Sequence, residues 1–210
     1  MPGSFFAVFE GGDGAGKSTQ ARALLGRLRR RGVPALLTRE PGGTPLGESL
    51  RRWLKSHRDT APMAELLLFS AARAQLVQQV IRPALSDGVA VICDRFTAST
   101  VAYQGFGRDL DLALIDRLNQ AATGGLAPDL TFLLDLPPEA ALARRARSGA
   151  GPDDGPADRF EAAPLEFHRK VRQGYLGLAA SSPHRWLVLD AARSPQVLAR
   201  QVWEKVQPLL

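Results

Sequence analysis

Short apolar runs alternate with longer stretches of mixed character along this chain. Ser4–Glu10, Pro34–Arg39, Val89–Asp94, Leu130–Asp135 and Trp186–Asp190 are rich in β-branched or aromatic residues and bounded by Gly, Pro or Asp, as buried parallel strands are. Helical periodicity fills Lys17–Arg31, Leu46–Ser56, Ala61–Ser86, Ala98–Tyr103, Leu112–Ala122, Pro138–Arg147, Arg159–Ala180 and Pro195–Val206. Strand–helix alternation with short connections predicts an α/β fold: a five-stranded parallel sheet in three layers, with helices on both faces. Functional groups then belong at the carboxyl ends of the strands.

Two segments carry too much Gly, Pro and Asp for either element. They are Arg39–Pro45 and Ser148–Asp158. The second is a surface connection or a lid over about residues 144–160, since Arg144, Arg145, Arg147 and Arg159 flank it.

With 210 residues the chain fits one domain spanning 1–210. The net charge of +6 and an isoelectric point near 10.2 point to anionic partners such as nucleotides, nucleic acid or phospholipid head groups. Only four of the 27 basic residues are Lys, and an Arg bias of that kind also follows base composition, so bulk charge alone decides little. Cys93 is the only cysteine, which excludes an intramolecular disulfide and a cysteine-based zinc site and fits a reducing, cytoplasmic address. No basic leader precedes the first apolar run, and no apolar run approaches the ~18 residues of a membrane helix, so neither a signal peptide nor a membrane partner is expected.

Between the first strand and the first helix lies Gly11-Gly12-Asp13-Gly14-Ala15-Gly16-Lys17-Ser18, which satisfies G-x-x-x-x-G-K-[ST]. Glycines there let backbone N–H groups turn toward phosphates, and the helix N-terminus adds its positive dipole end. Lys17 is expected to reach the β- and γ-phosphates while the Ser18 hydroxyl ligates Mg²⁺. A third strand ending in Asp94-Arg95-Phe96 adds a carboxylate for the metal's water shell and a guanidinium for transferring phosphoryl oxygens.

Taken in order, further motifs resemble those of the thymidylate kinase family. They are Phe9-Glu10-Gly11 with Asp13 to Thr19, Thr38-Arg39-Glu40-Pro41-Gly42-Gly43-Thr44, Leu68 to Arg73, Asp94-Arg95-Phe96 through Tyr103-Gln104-Gly105, and Leu134-Asp135 with Pro137-Pro138-Glu139. The resemblance implies a P-loop kinase fold, ATP and dTMP as substrates, Mg²⁺ as cofactor, and a homodimer built through central helices such as Ala61–Leu85. It implies an ATP site over Gly11, Gly12, Asp13, Gly14, Ala15, Gly16, Lys17, Ser18 and Thr19, with Arg144 stacking on adenine. It further implies Phe69 stacking on thymine, Arg73 donating to a base carbonyl, and Arg39 with Arg95 clamping the acceptor phosphate. Asp13 falls near the reacting phosphates and the acceptor sugar, and Ser99, Tyr103 and Gln104 line the base and deoxyribose. Gly14 stands where some members carry a catalytic arginine, so by resemblance that residue comes from the lid, where Arg147 and Arg145 are nearest.

Two other readings remain open on the residues alone. A deoxynucleoside kinase would need a base for a 5′-hydroxyl, for which Glu40 stands near. A nucleic-acid-binding or regulatory ATPase would use Arg27, Arg29, Arg30 and Arg31, although cations late in a helix also suit its dipole.

Overall fold

Alternation of side chains along each strand decides which face every functional residue joins. The computed structural model describes residues 4–57, 59–148, 160 and 162–210, with residues 145–148 described through their backbone alone. Strands β1 (Phe6–Glu10), β2 (Ala35–Arg39), β3 (Ala90–Asp94), β4 (Leu130–Asp135) and β5 (Trp186–Asp190) form one parallel sheet in the order β2-β3-β1-β4-β5. All five strands fall within the runs expected from the sequence.

On one face Ala7, Phe9, Ala90, Ile92, Phe132 and Leu134 pack against α1 (Lys17–Arg30) and α9 (Pro195–Val206). On the other, Phe6, Val8, Val91 and Cys93 meet a helical segment that begins as α3 (Pro62–Leu76), while Leu133 meets α8 (Leu165–Ser181). Each large apolar side chain fully buried in this way stabilises the fold by about 1.5–3 kcal/mol. Around these layers lie α2 (Pro45–Ser56) and α6 (Leu112–Thr123), both packed on α3, and α7 (Pro138–Ser148), which follows β4.

Two helices depart from the expected outline. The segment read as one helix over Ala61–Ser86 widens into a π-helical turn at Val77–Ile81 before resuming as α4 (Arg82–Ser86). The widening falls just ahead of Pro83, whose missing N–H and bulky ring disturb regular winding. The helix read as Ala98–Tyr103 is a short α5 (Thr97–Thr100) followed by a π-helical stretch, Val101–Gly107. In an α-helix Gln104 would sit about 140° around from Ser99. The wider i→i+5 winding brings both to the same cavity.

A third difference is a boundary. Helix α8 starts at Leu165 rather than Arg159, because Pro164 occupies the N-cap in an extended conformation and disfavours helical geometry in the residue before it. Most of the proposed lid, with the side chains of Arg145 and Arg147 and the whole of Arg159, lies outside the described residues.

Candidate active site

The phosphate loop emerges from β1 at the centre of the sheet. Gly11 has φ +135°, and a Cβ there would stand 2.5 Å from the Leu134 carbonyl oxygen, so only glycine fits. Gly14 and Gly16 also take positive φ values, and Gly16 caps α1, which leaves the first-turn N–H groups of that helix at the loop. Lys17 Nζ folds back over the loop and donates to the Gly12 carbonyl at 2.7 Å. Burial and the neighbouring Arg95 charge lower its pKa to about 8, against the opposing pull of Asp13 and Asp94.

Strand parity brings Asp94 to the α1 face of the sheet, where its Oδ2 accepts a hydrogen bond from the Ser18 hydroxyl. A hydroxyl and a carboxylate at the loop's foot are hard oxygen donors of the kind Mg²⁺ prefers. Arg95 follows with φ +73°, a left-handed backbone that costs a non-glycine residue about 1–2 kcal/mol. The turn swings its guanidinium back across the sheet edge. Nη1 donates to the Gly11 carbonyl, Ser99 Oγ and Tyr175 Oη, each at 3.2 Å. Nη2 donates to Asp13 Oδ1 at 2.6 Å and Tyr103 Oη at 3.2 Å. Burial alone would raise the Asp13 carboxyl, but the Arg95 and Lys17 charges override it and hold Asp13 well below the usual carboxylate range.

Beneath Arg95 sits Glu10, which sequence reasoning did not single out. It shares strand parity with Phe6 and Val8 and is fully buried. Its Oε1 accepts from the Phe96 and Ser99 N–H groups at 2.9 and 3.3 Å, and its Oε2 from Ser99 Oγ and Tyr175 Oη at 2.6 and 3.0 Å. Burial raises its pKa above the ordinary value, while Ser99 and Arg95 oppose the rise. A charged residue at the inward parity of an otherwise apolar strand was the available signal.

Beside this cluster opens a cavity of about 210 Å³. Asp13, Phe69, Arg73, Arg95, Ser99, Tyr103 and Gln104 all line it, so the structure brings together every residue expected on the acceptor side except Arg39. The Phe69 ring is half-buried and stands edge-on to Phe160, with centroids 5.9 Å apart. Gln104 Nε2 donates to Glu65 Oε1 at 2.6 Å, which fixes its amide at the wall. Arg73 is 1% exposed and grips Glu40, Nε to Oε2 at 2.9 Å. Glu40 thus spends one oxygen on a structural ion pair; burial pushes its pKa up to about 6 despite Arg73.

Arg39 lies elsewhere. The last residue of β2, one position before Glu40, it faces the α1 side, where Nη2 donates to both Glu48 carboxylate oxygens at 3.1 Å and the side chain remains 53% exposed. It borders a separate groove with Ser18, Thr38 and Asp94. In its stead Arg51 and Lys55 of α2 line the acceptor cavity, and Arg51 donates to the Pro41 carbonyl at 3.4 Å. Arg144 of α7 spans from the Gly14 carbonyl (3.4 Å) to the Ala191 carbonyl (2.7 Å), joining the phosphate loop to the turn after β5.

Comparisons with known proteins all point to one family. The sequence profile of the family described as thymidylate kinase matches residues 9–202. A thymidylate kinase of Synechococcus sp. (strain JA-2-3B'a(2-13)) is 52% identical, with 98% of this chain and 95% of that protein covered. One from Roseiflexus sp. (strain RS-1) is 49% identical, with 99% and 95% covered. Among solved structures, thymidylate kinase from Ehrlichia chaffeensis superposes with a TM-score of 0.78 at 36% identity, covering 98% of this chain and 99% of that one.

Proposed function

Because the chain belongs to the thymidylate kinase family, we infer that it transfers the γ-phosphoryl group of ATP to dTMP, giving ADP and dTDP in a step of dTTP synthesis. The observation that carries the reading is Arg95, whose guanidinium touches the phosphate loop at Gly11 and borders the acceptor cavity. In the reaction a phosphate oxygen of dTMP forms the new bond to the γ-phosphorus, and the bond to the β–γ bridging oxygen breaks, its electron pair leaving with ADP. The attacking phosphate is already ionised near pH 7, so no general base is required.

The residue roles follow from charge and position. Gly11 to Thr19 and Lys17 hold the ATP phosphates, Arg95 receives the acceptor phosphate, and Phe69 offers its ring to the base. Arg73 presents a donor to a base carbonyl, while Ser99, Tyr103 and Gln104 bound the base and sugar. Asp13 keeps Arg95 oriented until phosphate arrives. Arg144 is the adenine-side guanidinium, and Arg147 is the lid arginine. When bound, Mg²⁺ neutralises charge on the ATP phosphates, and Ser18 with Asp94 would hold it. Arg39 belongs to the same basic approach to the site, although Glu48 now engages it.

We further propose a cytoplasmic homodimer of single-domain protomers, with a lid over about 144–160 and free nucleotides rather than nucleic acid or membrane as partners. Apolar side chains on neighbouring helices support the dimer: Met63 and Leu67 are exposed a turn apart on α3, and Trp53 on α2 and Leu112 on α6 are exposed on the helices packed against it.

A coupled ADP-release assay tests the reaction. With ATP and Mg²⁺, dTMP should stimulate turnover above dUMP, AMP, CMP and thymidine, dTDP should appear in the product, and chelation of the metal should abolish it. Equal ADP release with and without any monophosphate would overturn the reading.

The Lys17 environment adds a pH dependence. An ammonium with a pKa of about 8 in the free enzyme loses its charge as pH rises through that value. Then kcat/KM for ATP should hold below pH 8 and fall about tenfold for each further unit. ATP binding at pH 8 should also take up protons, measurable as a buffer-dependent binding enthalpy; a flat profile to pH 9.5 would exclude Lys17 as the source.

A further inference from the structure

Among its contacts with the described residues, Arg73 keeps a single N–H for a ligand. A guanidinium carries five. Nε donates to Glu40 Oε2 at 2.9 Å, and Nη2 to the Phe96 carbonyl and Thr100 Oγ1 at 3.1 and 2.9 Å. Nη1 donates to Asn119 Oδ1 at 2.6 Å, which leaves only its second hydrogen. Asn119 comes from α6 and is absent from the acceptor-cavity wall; it borders a separate groove with Glu10, Phe96 and Asp116. It therefore holds Arg73 from behind.

The two ends of the guanidinium are tethered in opposite directions. Glu40, among the described residues the only carboxylate in contact, pulls the Nε/Nη2 edge with a charge-assisted bond. Among the described residues Asn119 is the sole acceptor on Nη1 and so the counterweight to that pull. Remove it, and Glu40 draws the group off its aim while a buried N–H loses its acceptor. The acceptor cavity sees Arg73 only through that orientation.

We propose that Asn119 is a positioning residue for acceptor recognition: by taking one hydrogen of Arg73 Nη1 it aims the other at the base, favouring a pyrimidine with an exocyclic carbonyl over one with an amino group. The inference rests on the assignment of Arg73 to the base given above. A hydrogen-bond donor aimed at that point welcomes a carbonyl and repels an amino group.

Steady-state kinetics of Asn119→Ala and Asn119→Asp test it. Asn119→Ala should raise the dTMP KM about tenfold, reduce the preference for dTMP over dCMP by a similar factor, and leave the ATP KM and kcat within about twofold. Asn119→Asp keeps the accepting oxygen and should restore the dTMP KM to within about threefold. A dTMP KM unchanged in Asn119→Ala, or a loss shared by kcat and both KM values that Asp does not recover, overturns the proposal. If Asn119→Ala is not obtained folded, Asn119→Ser is read by the same criteria. Arg73→Lys run alongside separates the two claims: an unchanged dTMP KM in that variant removes the base assignment itself, whereas a raised KM there with none in the Asn119 variants removes only the role of Asn119.

Discussion

Replacing Arg95 by Ala is expected to lower kcat at saturating dTMP about a thousandfold, in the range seen when a single preorganised group aimed at transition-state phosphoryl charge is removed. Five acceptor atoms and a left-handed backbone fix this guanidinium before any substrate binds, so little reorganisation is left for the reaction. Lysine should recover little, because an ammonium cannot span Asp13, Tyr103 and a phosphate with one planar fork. Rapid-quench measurement of dTDP formation checks the chemical step directly. Turnover within a fewfold of the parent would disprove the mechanism.

The second large effect is on stability. Arg73→Met leaves the Glu40 carboxylate buried without its partner, a loss of about 3–5 kcal/mol and a drop in Tm of about 10 °C for a chain of this size. Its pH dependence identifies the cause. Glu40 already titrates near 6, above the ordinary 4.5, through burial that Arg73 partly offsets; without Arg73 the value rises further. A carboxyl with a raised folded-state pKa contributes its stability in full below the unfolded value and loses it as pH rises through the folded one. The Tm gap between variant and parent should therefore be widest at pH 8 and narrow toward pH 5. A gap independent of pH would mean that lost packing, not the stranded charge, destabilises the variant.

Much of this was legible in the sequence because it is local. Strands bounded by Gly, Pro and Asp, the glycine-rich loop and the D-R-F strand end all depend on neighbours in the chain, and each lies where the pattern puts it. The strand order is not local, since β1 sits between β3 and β4 through contacts far apart in sequence. Arg39 illustrates a signal that was present and unused: it ends β2 at the parity of Ala35 and Leu37, which face α1, and so points away from the acceptor cavity that the next residue, Glu40, lines. Glu10 and Tyr175 escaped notice because a buried carboxylate is recognisable only once its hydrogen-bond donors, drawn from Phe96 at the start of α5, from Ser99 of α5 and from Tyr175 of α8, are assembled around it. Asn119 had no motif at all. Its part depends on a contact 46 residues away with Arg73.

The wide winding over Val101–Gly107 bears on how the family's sequences are to be aligned. Deleting one residue there would return the segment to ordinary helical pitch and carry Gln104 away from Ser99, yet leave the strands and the phosphate loop untouched. A single-position gap between two relatives in this stretch would then mark a divergence in which nucleotide is accepted, and an alignment that shifts such a gap into a neighbouring loop would erase that record.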